Sequence, residues 1–106
     1  MKIDPSLQAT SPLYKDEKFN SKEQFEEWLN KLAKYSIKFV DNMQDCLEWT
    51  IDERGEVLNS DMQGFVWIGK MVSLADIEVG REICVIDESG EKTRYDFVVE
   101  QIEDLR

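Results

Sequence analysis

Paired carboxylates are the groups in this chain with the most chemistry to offer, since 23 of its 106 residues are Asp or Glu and none is His. Two sets stand out. Glu48 and Asp52 lie four apart on a stretch that alternates apolar and polar residues. Both should leave the same face of a strand, about 13 Å apart at roughly 3.3 Å per residue. Asp87, Glu88 and Glu91 crowd a predicted hairpin tip. A hydrolase built on two carboxylates, or on Mg²⁺ or Ca²⁺, needs oxygens that converge, and no D-x-D-x-D-G loop or equivalent spacing occurs. Like charges at a turn are ordinarily solvated, so both sets read as surface rather than as a catalytic pair.

Other chemistries fail on residue type. Without His there is no Ser-His-Asp triad, no Cys-His pair and no H-E-x-x-H helix. Cys46 and Cys84 are too few for a zinc site without His partners, and they lack C-x-x-C spacing. They read as small hydrophobes in a reducing compartment, with a disulfide as the minor alternative. Gly64-x-x-x-x-Gly69-Lys70 matches seven positions of a phosphate loop, but the eighth is Met71, which has no hydroxyl for Mg²⁺. The intervening Phe65, Val66, Trp67 and Ile68 favour a pleated strand over a loop of exposed amides. No catalytic residue, metal site or cofactor is therefore assigned.

Charge narrows the partners. The net charge is -10 and the pI about 4.4. Such a chain repels a phosphate backbone, which argues against direct nucleic-acid binding. An acid excess serves solubility, or it presents carboxylates to a basic protein surface. Residues 1–14 lack the apolar run of an export signal, so the expected location is the cytoplasm, with no membrane association.

These residues need elements to position them. Residues 1–18 hold both prolines and no sustained period, and are expected to form an extended arm ahead of a single domain over 19–106. Phe25, Trp28, Leu29, Leu32 and Ala33 form one apolar stripe. A helix over about 21–35 follows, capped by Asn20 or Ser21. Leu47, Trp49 and Ile51 then alternate with Glu48, Thr50 and Asp52, the pattern of a half-buried strand. Arg54-Gly55 marks a turn before a short strand at Val57 and Leu58. The nearly continuous apolar run 64–72 predicts a central strand, bent at Gly64 and Gly69. Trp67 on that strand belongs to the core or to an exposed apolar patch.

The last unit is a hairpin, 81–87 with 92–100. A three-residue loop, Glu88-Ser89-Gly90, pairs Val85 with Thr93 and Ile83 with Tyr95, keeping apolar residues on one face. It also sets Glu82 opposite Asp96, an unfavourable pairing. Together the elements predict an α+β fold: one N-terminal helix packed on a curled, mostly antiparallel sheet or small barrel of five to six strands. The function expected is that of a small, non-enzymatic protein-binding module, an inhibitor or adaptor that occupies a basic surface. Glu48, Asp52, Asp87, Glu88, Glu91 and Trp67 are its candidate contacts. The alternative is a structural subunit that assembles through the apolar strand 64–72, and the oligomeric state is left open.

Overall fold

Alternation and turn chemistry explain most of the architecture. A computed structural model of the chain describes residues 3–14, 18–61 and 67–106. Among these residues one α-helix, α1 (Lys22–Leu32), precedes six strands: β1 (Tyr35–Val40), β2 (Cys46–Ile51), β3 (Val57–Ser60), β4 (Met71–Val72), β5 (Glu82–Ile86) and β6 (Lys92–Asp104). The strands form one sheet in the order β3-β2-β1-β6-β5-β4, every pairing antiparallel. The sheet curls as a half-barrel with the helix packed against it, as the sequence leads one to expect. Among the described residues its two edges touch through a bridge, Glu56 to Met71. Val57 N–H donates to Lys70 O at 2.8 Å and Val72 N–H to Gly55 O at 2.7 Å around it.

The helix begins where expected. Ser21 Oγ accepts from Gln24 N–H at 3.2 Å, and Gln24 Oε1 accepts from Asn20 N–H at 2.9 Å. It ends three residues earlier than expected. Ala33 is already extended, and Tyr35, Ile37 and Phe39 alternate with Ser36, Lys38 and Val40 as strand β1. The helical count over Ala33 hid that period-two signal. No residue of α1 itself is fully buried. Phe25 and Trp28 pack instead on Phe19 and Tyr14, with ring centroids 5.3 to 5.9 Å apart.

The core lies inside the curl. Ile37, Phe39, Trp49, Ile51, Val57, Val72, Ile83 and Val99 are all buried there. Phe39 meets Trp49 edge-on at 4.8 Å, and Trp67 stands 5.1 Å from both Trp49 and Tyr95. Such pairs add roughly 0.5–1.5 kcal/mol each beyond the area they bury.

The central strand expected over 64–72 is not formed over its described part, 67–72. Residues 64–66 lie outside the described part. Trp67 to Lys70 is a turn, closed by Lys70 N–H on Trp67 O at 3.0 Å, with Gly69 at φ +90. Among the described residues of this run only Met71 and Val72 are strand, and they lie at the sheet edge. Curvature comes from irregular pairing instead. Register shifts at Thr50/Ile51, Lys38/Phe39 and Glu82/Cys84 bend and twist the sheet.

The terminal hairpin has the expected loop. Ile86, Val85 and Cys84 face Lys92, Thr93 and Arg94, and Gly90 sits at φ +88. Farther from the turn the register departs from expectation. Glu82 pairs with Val98, so the feared Glu82–Asp96 opposition is absent from the ladder. The extra residues on β6 remove it.

Three hairpin turns share one chemistry, a repeat the sequence reading did not detect. Each starts with Asp and ends with an acid four residues later: Asp41–Asp45, Asp52–Glu56 and Asp87–Glu91. In each the first residue's N–H donates to the fifth residue's carbonyl at 3.0–3.2 Å. The Asp Oδ1 accepts amide hydrogens from the third and fifth residues at 2.8–3.0 Å. The fourth residue has positive φ: Gln44 at 64, Gly55 at 98 and Gly90 at 88. Part of the acid excess therefore builds turns.

Candidate functional site

Strand register places each candidate contact. Glu48 is exposed on the outer face of the sheet, opposite Lys38 on β1, which in turn faces Gln101 on β6. Asp61 Oδ1 accepts Glu48 N–H at 2.8 Å. Glu48, Asp61, Glu100, Lys38 and Cys46 surround a shallow depression of about 200 Å³. Glu88 and Glu91 are exposed at the β5–β6 tip. Asp87 is exposed there too, but its carboxylate is engaged within the turn. The Ser89 hydroxyl, donating at 2.6 Å, and then the Glu91 amide hold it below the usual carboxylate range.

These sets do not form one patch. The row through Glu48, Lys38 and Gln101 meets β6 nine residues from Lys92, which flanks the tip. At roughly 3.3 Å per residue that is about 30 Å along the strand. The molecule is only 37 Å long in its greatest dimension.

Two candidates are corrected. Asp52 is 2% exposed, not outward-facing. The strand ends at Ile51, so alternation no longer governs Asp52, and its carboxylate folds back over the turn. Its Oδ2 accepts from Arg54 Nη2 at 2.8 Å. Trp67 is 7% exposed, with its ring on Trp49 and Tyr95. It is core and offers no open apolar patch.

Around Asp52 the structure assembles a buried charge network that sequence reasoning missed. Arg54 Nη2 also donates to Glu56 Oε1 at 2.6 Å, and Glu56 is fully buried. The same carboxylate accepts Leu13 N–H at 2.7 Å and Tyr14 N–H at 2.9 Å. Gln8 Oε1 accepts Leu74 N–H at 2.7 Å, and Ala9 N–H donates to Arg54 O at 3.1 Å. The N-terminal arm is therefore docked on the sheet by a carboxylate whose charge Arg54 balances. Alternating Asp52, Arg54 and Glu56 around Gly55 was the available signal. Spacing alone could not show that the arm would return to them.

A cleft of about 280 Å³ adjoins this network, lined by Leu32, Lys34, Asp52, Glu53, Arg54 and Arg106. Its cations are already engaged. Arg54 serves Asp52 and Glu56, while Lys34 Nζ donates to Arg106 O at 2.7 Å and lies 3.4 Å from Asp104. Arg106 Nε donates to Ala33 O at 2.8 Å. The cleft ties the helix end to the C-terminal strand.

Cys46 is exposed, Cys84 is buried, and the two thiols are free. Among the described residues no group of three or more His, Cys, Asp or Glu could hold a metal ion, and no helix is long and apolar enough to cross a membrane. Compared with family models, curated proteins and solved structures, the chain matches none.

Proposed function

We propose that this chain is a small, non-enzymatic protein-binding module that acts in the cytoplasm as an inhibitor or adaptor, by occupying a basic surface on a partner protein. The observation that carries this reading is the open outer face of β6. Arg94, Asp96, Val98, Glu100, Gln101 and Glu103 all stand exposed there, beside exposed Glu48 on β2. The chain's net charge of -10 favours encounter with a basic protein and disfavours nucleic acid. The exposed tip residues Glu88 and Glu91 extend the same sign of charge. Asp87 takes part as the residue that shapes the tip. The free thiols accord with a reducing compartment. Assembly through strand 64–72 has less support, because Trp67 is buried and the described part of the run contributes two edge residues.

The test is kinetic. The chain is immobilised, its partner is captured from the native host and identified, and association rates are measured at about 0.1 and 0.5 M salt. Interface carboxylates chiefly raise the association rate, and screening shortens their reach to about 8 Å at physiological ionic strength. Glu48→Gln with Glu100→Gln, or Glu88→Gln with Glu91→Gln, should slow association several-fold without moving the melt. Rates indifferent to salt and to both double variants would show that the carboxylates serve solubility alone.

A further inference from the structure

The geometry points to a docking surface on the outer face of the sheet that fits the apolar stripe of a basic amphipathic helix. This rests on the basic-partner reading above and gives the partner a shape. Cys46, Val40, Val98 and Glu82 pair in sequence across β2, β1, β6 and β5, so their side chains form one row on the outer face. Three of the four are apolar. Val98 is 36% exposed, Cys46 is exposed and Val40 half-buried. Past Val40 and Cys46, in the turn that joins β1 to β2, Met43 is 78% exposed. The row spans three strand spacings, about 14 Å at roughly 4.8 Å each, which matches about two and a half helical turns of 5.4 Å.

Carboxylates flank the row on both sides. Glu48, Asp61 and Glu100 border the depression on one flank, with Lys38 among them. Glu82 ends the row, and Asp96 precedes Val98 by two residues on the same face of β6. An apolar centre with a polar, charged rim is the usual anatomy of a protein interface. A partner helix whose apolar stripe carries Lys or Arg on each side meets both parts at once. The depression of about 200 Å³ has room for one of those basic side chains.

The probe is a fluorescent peptide of Leu and Lys, with Leu at spacings of three and four, titrated into the full chain in about 0.1 M salt and read by anisotropy. A scrambled peptide of the same composition keeps the charge but breaks the stripe. Amide shifts should concentrate at Val40, Cys46 and Val98, and the scrambled peptide should bind at least tenfold more weakly. Val98→Lys, and independently Glu48→Gln with Glu100→Gln, should each weaken the designed peptide at least tenfold. Glu88→Gln with Glu91→Gln should leave it unchanged. Equal binding of the two peptides, or indifference to both outer-face variants, overturns this surface while leaving a charge-driven partner intact. Failure of both peptides to bind overturns the basic-partner reading as well.

Discussion

Single residues in this chain are constrained most tightly at the turns. A β-carbon on Gly55 would stand 2.5 Å from Val72 O, while one on Gly90 would meet nothing within 4 Å. Both glycines have positive φ. Gly90→Val should therefore cost about 1–2 kcal/mol in backbone strain alone. Gly55→Ala should cost about 3 kcal/mol or more, because strain and a clash with the sheet-closing backbone combine. Urea melts that rank the two equally would remove the close approach as the reason for Gly55. Gln44 is the converse case, a side chain at φ 64 where the sister turns carry glycine. The left-handed conformation costs an L-residue roughly 1–2 kcal/mol, of which the greater unfolded freedom of glycine returns about 0.5–1. Gln44→Gly should therefore stabilise by about 0.5 kcal/mol, and a loss of stability would contradict the turn assignment. Asp76 sets an acid dependence. The Ser73 hydroxyl, and then the Lys92 ammonium, hold its carboxyl below the usual value. The native state then binds fewer protons than the unfolded chain near pH 3–4. The stabilisation is present above the unfolded value of about 3.9 and is lost as pH falls through the lowered native one. Asp76→Asn should lower stability at neutral pH and flatten the acid limb of the stability profile; an unchanged limb would show the interaction to be energetically silent.

At the scale of elements, the docked arm and the β3–β4 closure depend on one another. Glu56 sits at the bridge between the edge strands and accepts the arm's amides with its carboxylate. Glu56→Gln removes one of the two charges that Arg54 faces and sets an amide group against two backbone donors. Breaking one side of a buried ion pair typically costs about 3–5 kcal/mol. Hydrogen exchange should quicken at the amides of Leu13 and Tyr14 as well as at Val57 and Val72. Glu53→Gln, on an exposed side chain in the same turn, should change stability by less than about 0.5 kcal/mol. If Glu56→Gln freed the arm without touching the closure, the two would be independent.

For the whole molecule, net charge works against compactness. A charge of -10 on a body of 13.2 Å radius of gyration repels itself. Raising salt from about 0.02 to 0.5 M shortens the Debye length from roughly 20 Å to 4 Å. The melting temperature should rise by several degrees, since exposed ion pairs such as Lys22–Glu26 and Arg81–Glu78 lose little in exchange. A fall in melting temperature would mean that ion pairs outweigh the repulsion.

The sequence by itself determined the features that depend on neighbours along the chain: the helix start at Ser21, the strand through Trp49, and the loop that needs Gly90. Capping, period-two alternation and positive φ are local demands, and local residues meet them. The α+β class followed from the order of these elements. What only the tertiary structure decided were contacts between distant segments. The run at 64–72 has the composition of a central strand, yet its described part turns at Gly69 and contributes two edge residues, because pairing partners and not propensity assign a strand its place. Asp52 continues a polar alternation but is buried: its carboxylate turns back onto Arg54 two residues on, beside Glu56, to which the arm's Leu13 and Tyr14 amides return from the start of the chain. The candidate carboxylates lie at separate ends of the outer face for the same reason: residue spacing measures distance along one strand, while a surface is laid out by register across several.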